Sequence, residues 1–483
     1  MSSETVPWLL RLGEESGFTS IIESCRDTKV LCLQRFVRLF AYGASFLILV
    51  QFLSSLDFSD ERIGLFMTLT LLGDVLISFL LTAITDQVGR RKVLAAGAVL
   101  MMMSGLVFSL ADNYWILVAA SILGVISPSG NEIGPFRAVE ESILAQLTVR
   151  EKRSDIFAWY TLFGSAGAAF GTLTCGWAVQ VLQHNEAWTH REAYRVVFLI
   201  YAGLGALKLL LITGLTSGVE ASPLKSDGAL VRASEEHQAL LADSSGRETH
   251  PRQSTHERSP LPSIWERMRA LVPYISPLSR SILFRLLLLF CIDSFASGMA
   301  SPSWLTYFFT TVHSLQPGSL GTLFLVTNLL ATISNIAALP LARRLGPLKT
   351  MVYTHLPSAI FLSMIPLPSA SPLGTWVAMA FLSLRACTQS MDQAPRQAFL
   401  AAAVLPSERT AVLGVVNTVK TLAQASGIGS AGFLSGRHLW IVILSGAGIM
   451  KAVYDLLMLA MFLGLRDREG SSTKSHSRDE EDL

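Results

Sequence analysis

The chain has 483 residues, of which 51% are hydrophobic and only 15% are charged. One soluble core needs far less apolar surface, so the composition predicts a polytopic membrane protein. The formal net charge is +2 and the cations lie beside apolar runs rather than on a basic face, so no nucleic-acid partner is expected.

Apolar runs recur along the chain, and at ~1.5 Å per residue about 20 residues cross a ~30 Å hydrocarbon layer as a helix. Such runs are too long for barrel strands, so each span is expected to be helical. The predicted spans are 31–55, 63–85, 93–111, 115–137, 157–180, 194–215, 281–309, 320–342, 350–367, 375–397, 411–434 and 439–463. The even number of spans places both termini on one side of the membrane.

The distribution of lysine and arginine identifies that side as the cytoplasm. The connections on the side of the termini contain Arg90, Arg91, Lys92, Arg150, Lys152, Arg153, Arg343, Arg344, Lys349 and Arg409. The opposite connections hold little beyond Arg62, Arg191 and Arg437. Both termini are therefore expected in the cytoplasm, and residues 1–29 show no pattern of a cleaved signal peptide.

The domain organisation follows from a change of composition between the sixth and seventh spans. Residues 216–280 are rich in Ser, Pro, Glu, His and Arg, which cannot bury enough apolar area to order the segment. We expect a cytoplasmic N-terminal segment (1–30), an N-terminal six-helix half (31–215), a largely disordered cytoplasmic linker (216–280), a C-terminal six-helix half (281–463) and a disordered cytoplasmic tail (464–483).

The two halves resemble each other at consistent offsets, as internal duplication predicts. The segment Glu132-Ile-Gly-Pro135-Phe-Arg-Ala138 corresponds to Asp392-Gln-Ala-Pro395-Arg-Gln-Ala398, with acid, proline and alanine in step. Corresponding segments of equal polarity indicate parallel repeats about an axis normal to the membrane. The fold class predicted is an all-α membrane protein with 12 transmembrane helices in two pseudo-symmetric six-helix halves.

The turn Asp86-Gln-Val-Gly89-Arg90-Arg91-Lys92 joins the second and third spans. Gly89 permits a positive φ, and Asp86 is expected to accept hydrogen bonds from a helix N-terminus or an arginine. The alternative is that Arg90, Arg91 and Lys92 only set the orientation of the chain in the membrane.

Twelve spans, a long central loop, parallel halves and this turn together resemble the major facilitator superfamily over residues 31–463. Asp86, Gly89, Arg90 and Arg91 match the family's loop motif, whereas Thr82 stands where that motif begins with glycine. The resemblance implies a secondary active transporter whose two halves rock about a central cavity. The glycine-rich segment from Gly164 to Gly171 is similar to an antiporter signature but lacks its proline, which weakens the case for antiport.

Four charged side chains lie near the middle of predicted spans, where each charge costs about 2.5–3.5 kcal/mol on insertion scales. By helical rise, Asp74, Asp293, Arg385 and Lys420 lie roughly 14–18 Å into their spans. We interpret them, with Asn328, Asn417 and Gln424, as candidates for a substrate or proton cavity.

Two interpretations of these charges remain open. Either they form buried ion pairs that stabilise the bundle, or they act in transport. In the second case burial favours the uncharged form of a carboxylate, so Asp74 or Asp293 binds a proton in one access state and releases it in the other. Arg385 and Lys420 then hold an anionic group.

Glu132 and Asp392 lie deeper, near the cytoplasmic ends of their spans, and each precedes a proline and a cation. Glu132, Arg137, Asp392 and Arg396 are therefore candidates for an inner gate that bridges the halves when the inside is closed. The alternative is a static network at the helix ends.

Enzyme chemistry has little support. The sequence contains no Gly-x-x-x-x-Gly-Lys-Ser/Thr phosphate loop and no nucleophile elbow, and its nine histidines and five cysteines show no metal-ligand spacing. No cofactor and no metal are expected.

The sequence therefore favours a secondary active transporter, with a small-molecule substrate, protons and the lipid bilayer as partners, acting as a monomer. Proton-coupled export of a drug-like compound or metabolite is the first expectation. The alternatives are proton-coupled import of an organic anion and a non-transporting transceptor with the same fold. The plasma membrane is the expected location, and the acidic dileucine pattern at Glu236 to Leu241 leaves a vacuolar or endosomal membrane open.

Overall fold

The computed structural model describes residues 18–124, 126, 135–220, 277–393, 395–396 and 409–481. We number the α-helices in chain order. They are α1 Phe18–Glu23, α2 Arg26–Ser55, α3 Asp60–Val88, α4 Arg90–Leu110, α5 Tyr114–Gly124, α6 Pro135–Leu147, α7 Arg153–His184, α8 His190–Thr213, α9 Pro277–Met299, α10 Pro302–Thr311, α11 Pro317–Leu345, α12 Pro347–Met364, α13 Pro372–Gln389, α14 Arg409–Ser435 and α15 Trp440–Glu481. Short 3₁₀ helices span Arg150–Lys152 and Ser217–Val219.

The all-α prediction is confirmed for the described residues. Seven helical stretches there are long and apolar enough to cross a membrane, with Leu283–Thr311 of α9 and α10 counted as one, and α5 is a shorter apolar helix. The predicted fourth span, 115–137, corresponds to α5 and the start of α6, while residues 125 and 127–134 lie outside the described residues. The linker residues 221–276, with the dileucine pattern, also lie outside them.

The predicted seventh span is two helices rather than one continuous helix. Helix α9 ends at Met299 and α10 begins at Pro302, with Ser301 between them accepting a hydrogen bond from the backbone N–H of Trp304. Proline has no N–H to donate and its fixed φ suits a first helical position, so Ser301 and Pro302 together start a new helix.

The last helix also differs from expectation. Helix α15 continues to Glu481, beyond the predicted boundary at residue 463 after which a disordered tail was expected. Once a helix is nucleated, each further residue adds a hydrogen bond at small cost, so a polar segment is able to extend an existing span.

The same glycine turn occurs in both halves. Gly89 separates α3 from α4 with a φ of +101°, and Gly346 separates α11 from α12 with a φ of +81°. A side chain is strained at such angles, so glycine is required at both turns. The repeated turn agrees with the parallel repeats expected from the sequence.

Close helix packing is also repeated. A Cβ on Gly167 of α7 would lie 2.4 Å from the carbonyl oxygen of Phe36 on α2, and a Cβ on Gly427 of α14 would lie 2.1 Å from that of Phe295 on α9. The glycine-rich segment of the fifth span thus has a packing role, because glycine lets two helix backbones approach closely.

The two halves contact each other at the end of the bundle opposite to the chain termini, which we call the distal end. Gln180, near the end of α7, donates a hydrogen bond to Gln316 at 2.9 Å and accepts one from the backbone N–H of Gly318 at 2.9 Å. Nearby, Gly64 of α3 meets Gly432 of α14, where a Cβ on Gly64 would lie 2.9 Å from the Cα of Gly432. The distal end is therefore closed by direct contact between the halves.

Candidate functional site

A cavity of about 850 Å³ lies on the terminal side of these distal contacts. The C-terminal half provides most of its wall, and the N-terminal half contributes Phe46 and Ala168. Six residues that the sequence marks as cavity candidates line it: Asp293, Asn328, Arg385, Asn417, Lys420 and Gln424.

Asp74, the seventh candidate, does not line this cavity. Its carboxylate is buried in α3, and Oδ1 has no hydrogen-bond partner in the described part of the chain. The neighbouring Gly73 packs against Ile122 of α5. The sequence predicts the depth of Asp74 from helical rise, but depth does not determine which face of the helix points to the cavity.

Asp293 is the centre of a buried ion-pair network on the cavity wall. Nζ of Lys451 on α15 lies 2.7 Å from Oδ1 of Asp293, and Nη1 of Arg396 lies 3.1 Å from Oδ2. Lys451 also donates to Oγ of Ser297 at 2.7 Å, and Arg396 also pairs with Asp392. Two cations thus neutralise Asp293, and the network joins α9, α15 and the segment that follows α13.

Lys451 is not among the residues that the sequence marks as candidates. The sequence nonetheless contains the feature that would identify it, because Lys451 is a charged residue inside a predicted span, as Asp293 is. The same rule also finds Lys208 and Asp455.

Three of the four candidate gate residues are described, and they do not all lie together. Asp392 and Arg396 lie on the cavity wall in the C-terminal half. Arg137 is exposed and forms an ion pair at 2.6 Å with Glu141 in the same half. Glu132 lies outside the described residues. The pair of Arg137 with Glu141 and the pair of Arg396 with Asp392 each join residues of one half, so neither pair is a bridge between the halves.

Arg385 and Lys420 face the cavity without a carboxylate at salt-bridge distance among the described residues. Nζ of Lys420 lies 5.3 Å from the ring centre of Phe290, a cation–π distance. The charged lining residues are Arg385, Arg396, Lys420, Lys451, Asp293 and Asp392. Four cations minus two carboxylates give a formal charge of +2 on this part of the wall.

One histidine also lines the cavity. Nδ1 of His355 on α12 lies 2.9 Å from both carboxylate oxygens of Asp455 on α15. Asp455 is fully buried and His355 is nearly so. In the sequence His355 is only an isolated histidine within a span, since its partner is 100 residues away in the chain.

A second buried network lies in the N-terminal half. Glu140 of α6 is fully buried and accepts hydrogen bonds from Nη2 of Arg38 at 2.7 Å and from the hydroxyl of Tyr160 at 2.6 Å. Nζ of Lys208 lies 3.6 Å from its other carboxylate oxygen. This network connects α2, α6, α7 and α8, and it is separate from the cavity.

The loop motif is held by a residue that the sequence did not indicate. Glu220 accepts hydrogen bonds from the backbone N–H groups of Arg90 at 2.7 Å and Arg91 at 3.3 Å, at the N-terminus of α4. Nη1 of Arg90 donates to Gln146 at 2.7 Å. A carboxylate is favoured at a helix N-terminus. The side chain of Asp86, which the sequence assigned to this role, lies outside the described residues.

The comparisons with known proteins agree with this architecture. The sequence model of the Major Facilitator Superfamily matches residues 31–391 and 286–482. The uncharacterized membrane protein YJR124C of Saccharomyces cerevisiae is 36% identical over 446 residues, which are 91% of this chain and 95% of the relative. The multidrug resistance protein MdtH of Yersinia enterocolitica is 26% identical over 157 residues, 32% of this chain and 37% of the relative.

Solved structures show the same fold. The nucleoside transporter NupG superposes with a TM-score of 0.61 at 14% identity and covers 91% of this chain and 99% of its own. The xylose transporter XylE from E. coli superposes with a TM-score of 0.61 at 15% identity and covers 89% of this chain and 94% of its own. The protein PepTSo2 superposes with a TM-score of 0.66 at 13% identity and covers 91% of this chain and 98% of its own. The predicted two-half fold is confirmed, and the chain belongs to the major facilitator superfamily.

Proposed function

We propose that this protein is a secondary active transporter that moves a small organic solute carrying an anionic group across a membrane, coupled to protons. The single observation that carries the proposal is the polar cavity between the two halves, closed at the distal end by contacts between them. Alternating access requires a state in which the distal end is closed and a second state in which the distal contacts separate.

The charge of the cavity supports an anionic solute. Asp293 is neutralised by Lys451 and Arg396, whereas Arg385 and Lys420 face the cavity without a described carboxylate at salt-bridge distance. An unpaired cation at low dielectric attracts an anion strongly, and an arginine is suited to bind a carboxylate or phosphate through two parallel hydrogen bonds.

Export of a drug-like compound or metabolite is the second candidate. It is favoured by the loop motif and by the similarity of a third of the chain to the multidrug resistance protein MdtH. The charged wall, however, gives an uncharged or cationic drug less to bind than it gives an anion. We therefore rank an organic anion first.

The remaining features of the proposal come from the sequence. The lysine and arginine distribution supports cytoplasmic termini. A single chain contains both halves of the cavity, so a monomer is sufficient for transport. The plasma membrane is the proposed location, and a vacuolar or endosomal membrane is the alternative.

The test is transport by the purified full chain in proteoliposomes. A panel of radiolabelled carboxylates and phosphate esters is offered with and without an imposed pH gradient, next to uncharged and cationic drug-like compounds. We expect the gradient to drive accumulation of at least one anion. Accumulation of none of these solutes would favour the transceptor, and accumulation of only the uncharged or cationic ones would favour the second candidate.

Substitutions in the cavity test the assigned cations. Arg385→Gln and Lys420→Gln should each raise the half-saturating concentration of the transported anion roughly 10- to 100-fold, because a hydrogen bond to a charged group contributes about 1.5–3 kcal/mol. Arg437→Gln is the matched control, since Arg437 is exposed at the distal end and stacks on Phe433. Equal effects of all three substitutions would contradict the assignment.

A further inference from the structure

The pair formed by His355 and Asp455 shares no described hydrogen bond or ion pair with the cavity network around Asp293. In the state with Asp455 ionised, the carboxylate only accepts hydrogen bonds, so Nδ1 of His355 donates across the 2.9 Å contact and the neutral ring carries its proton on Nδ1. Nε2 then carries a lone pair on the ring of a residue that lines the cavity. A carboxylate in this position also stabilises the imidazolium that forms when Nε2 takes a proton.

The helices packed around His355 provide further charged and titratable groups. Helix α15 contributes Asp455, Lys451 and Tyr454, whose ring centre lies 6.0 Å from that of His355. Helix α13 contributes Arg385, helix α11 contributes the uncharged Asn328, and Asp293 of α9 acts on His355 electrostatically.

Among these groups, the imidazole of His355 is the one that can take up and release a proton at a ring nitrogen. Two cations already pair with Asp293, and unperturbed lysine, arginine and tyrosine side chains keep their protons at neutral pH. Histidine is the side chain whose unperturbed charge changes between about pH 5 and 8.

We propose that His355, held in position by Asp455, is the proton-binding group of this transporter. The inference deepens the proposed function and rests on it. One proton from water on one side of the membrane adds to Nε2, and the neutral ring becomes an imidazolium. After the halves change access, the same proton leaves to water on the other side.

Protonation links the proton to the solute. It raises the formal charge of the lining side chains from +2 to +3. An anion therefore binds more tightly when His355 is protonated, and by reciprocity the bound anion favours protonation. The expected coupling is movement of the proton and the anion in the same direction.

The first experiment uses protons alone as the probe. The full chain with ¹⁵N-labelled histidine is titrated by NMR in lipid nanodiscs between about pH 5 and 8, the range of an ordinary imidazole. We expect one ring signal that changes protonation state in this range and disappears in His355→Gln. Asp455→Asn should change that titration, because the imidazolium loses the carboxylate that it contacts. His313→Gln, which removes a histidine bonded to Thr375 near the distal end, should leave it unchanged. A His355 ring that keeps one protonation state throughout would overturn the proposal.

The second experiment measures coupling in proteoliposomes with the same carboxylates and phosphate esters. In His355→Gln we expect accumulation driven by a pH gradient to fall at least tenfold, while exchange of labelled for unlabelled anion at equal pH persists. Unchanged accumulation in His355→Gln would overturn the role of this dyad and leave the proposed function standing. No exchange and no accumulation in the wild type would instead overturn both.

Discussion

Asp60, at the start of α3, accepts a hydrogen bond from the hydroxyl of Ser435, at the end of α14, at 2.6 Å. The hydroxyl of Tyr307 on α10 donates to the other carboxylate oxygen of Asp60 at 3.1 Å. One carboxylate of the N-terminal half thus binds two helices of the C-terminal half at the distal end. These bonds must break if the distal end is to open.

Asp60→Ala should favour the distally open state. A hydrogen bond to a charged group contributes about 1.5–3 kcal/mol, so the loss of two should shift the equilibrium between closed and open states at least tenfold. Pulsed electron spin resonance with labels on Glu186 and Arg437, exposed residues of the two halves, measures the distance between halves. Asp57→Ala is the control, because Asp57 pairs only with Arg191 of the same half in the described contacts. An unchanged distance distribution in Asp60→Ala would exclude this role.

Gly432→Ala should also favour the distally open state, because the added methyl group would overlap the neighbouring helix. A Cβ at Gly432 would lie 2.6 Å from the carbonyl oxygen of Asp60 and 2.6 Å from the Cα of Gly64. Both neighbours are backbone atoms, so no side-chain rotation relieves the overlap, and overpacking costs about 1–3 kcal/mol. In Gly436→Ala the nearest atom is 3.7 Å away, which makes it the control. We expect a longer distance between labels in Gly432→Ala only, and equal distances in both variants would refute the close approach.

Glu140→Gln should lower the stability of the N-terminal half. The substitution removes the charge that Arg38 and Lys208 face in a fully buried network, and breaking a buried ion pair typically costs about 3–5 kcal/mol. Thermal unfolding in nanodiscs measures the change. Glu141→Gln is the control at the next position, because its ion pair with Arg137 is partly exposed and should contribute about 1 kcal/mol or less. Similar melting temperatures for the two variants would contradict the assigned network.

The contact of α1 with the 3₁₀ helix before α7 should weaken at acid pH. The hydrogen bond and positive charge of Lys152 hold the pKa of Glu23 below its ordinary value. A carboxylate whose folded pKa is lowered contributes stability above its unfolded pKa, and this contribution is lost as the pH falls through the folded pKa. Hydrogen exchange of residues 18–23, corrected for the intrinsic pH dependence of exchange, should therefore show protection that decreases below about pH 4.

Glu23→Gln is the control for this pH dependence. It removes the titrating group, so its protection should be lower at neutral pH and should change less on acidification. The effect is expected to be small because both side chains are exposed and solvent screens the pair. Identical acid profiles in the wild type and Glu23→Gln would show that another group controls the docking of α1.

Several parts of the candidate site could be predicted from single positions in the sequence. Asp293, Arg385 and Lys420 were identified because a charge in the middle of an apolar span is costly unless it faces water or a partner. The same reasoning failed to place Asp74, which shares their depth but does not line the cavity. It also could not show that Asp392 and Arg396 line the cavity and that Arg396 pairs with both Asp392 and Asp293.

The sequence by itself determined that the chain is a bundle of membrane-spanning helices in two repeated halves. Span length and the exclusion of charge from hydrocarbon are properties of consecutive residues, and the turns at Gly89 and Gly346 need only a local backbone conformation. Tertiary structure alone decided which buried charges meet. Lys451 and Asp293 are 158 residues apart, as His355 and Asp455 are 100 apart, and only the rotation and packing of separate helices bring each pair within hydrogen-bond distance.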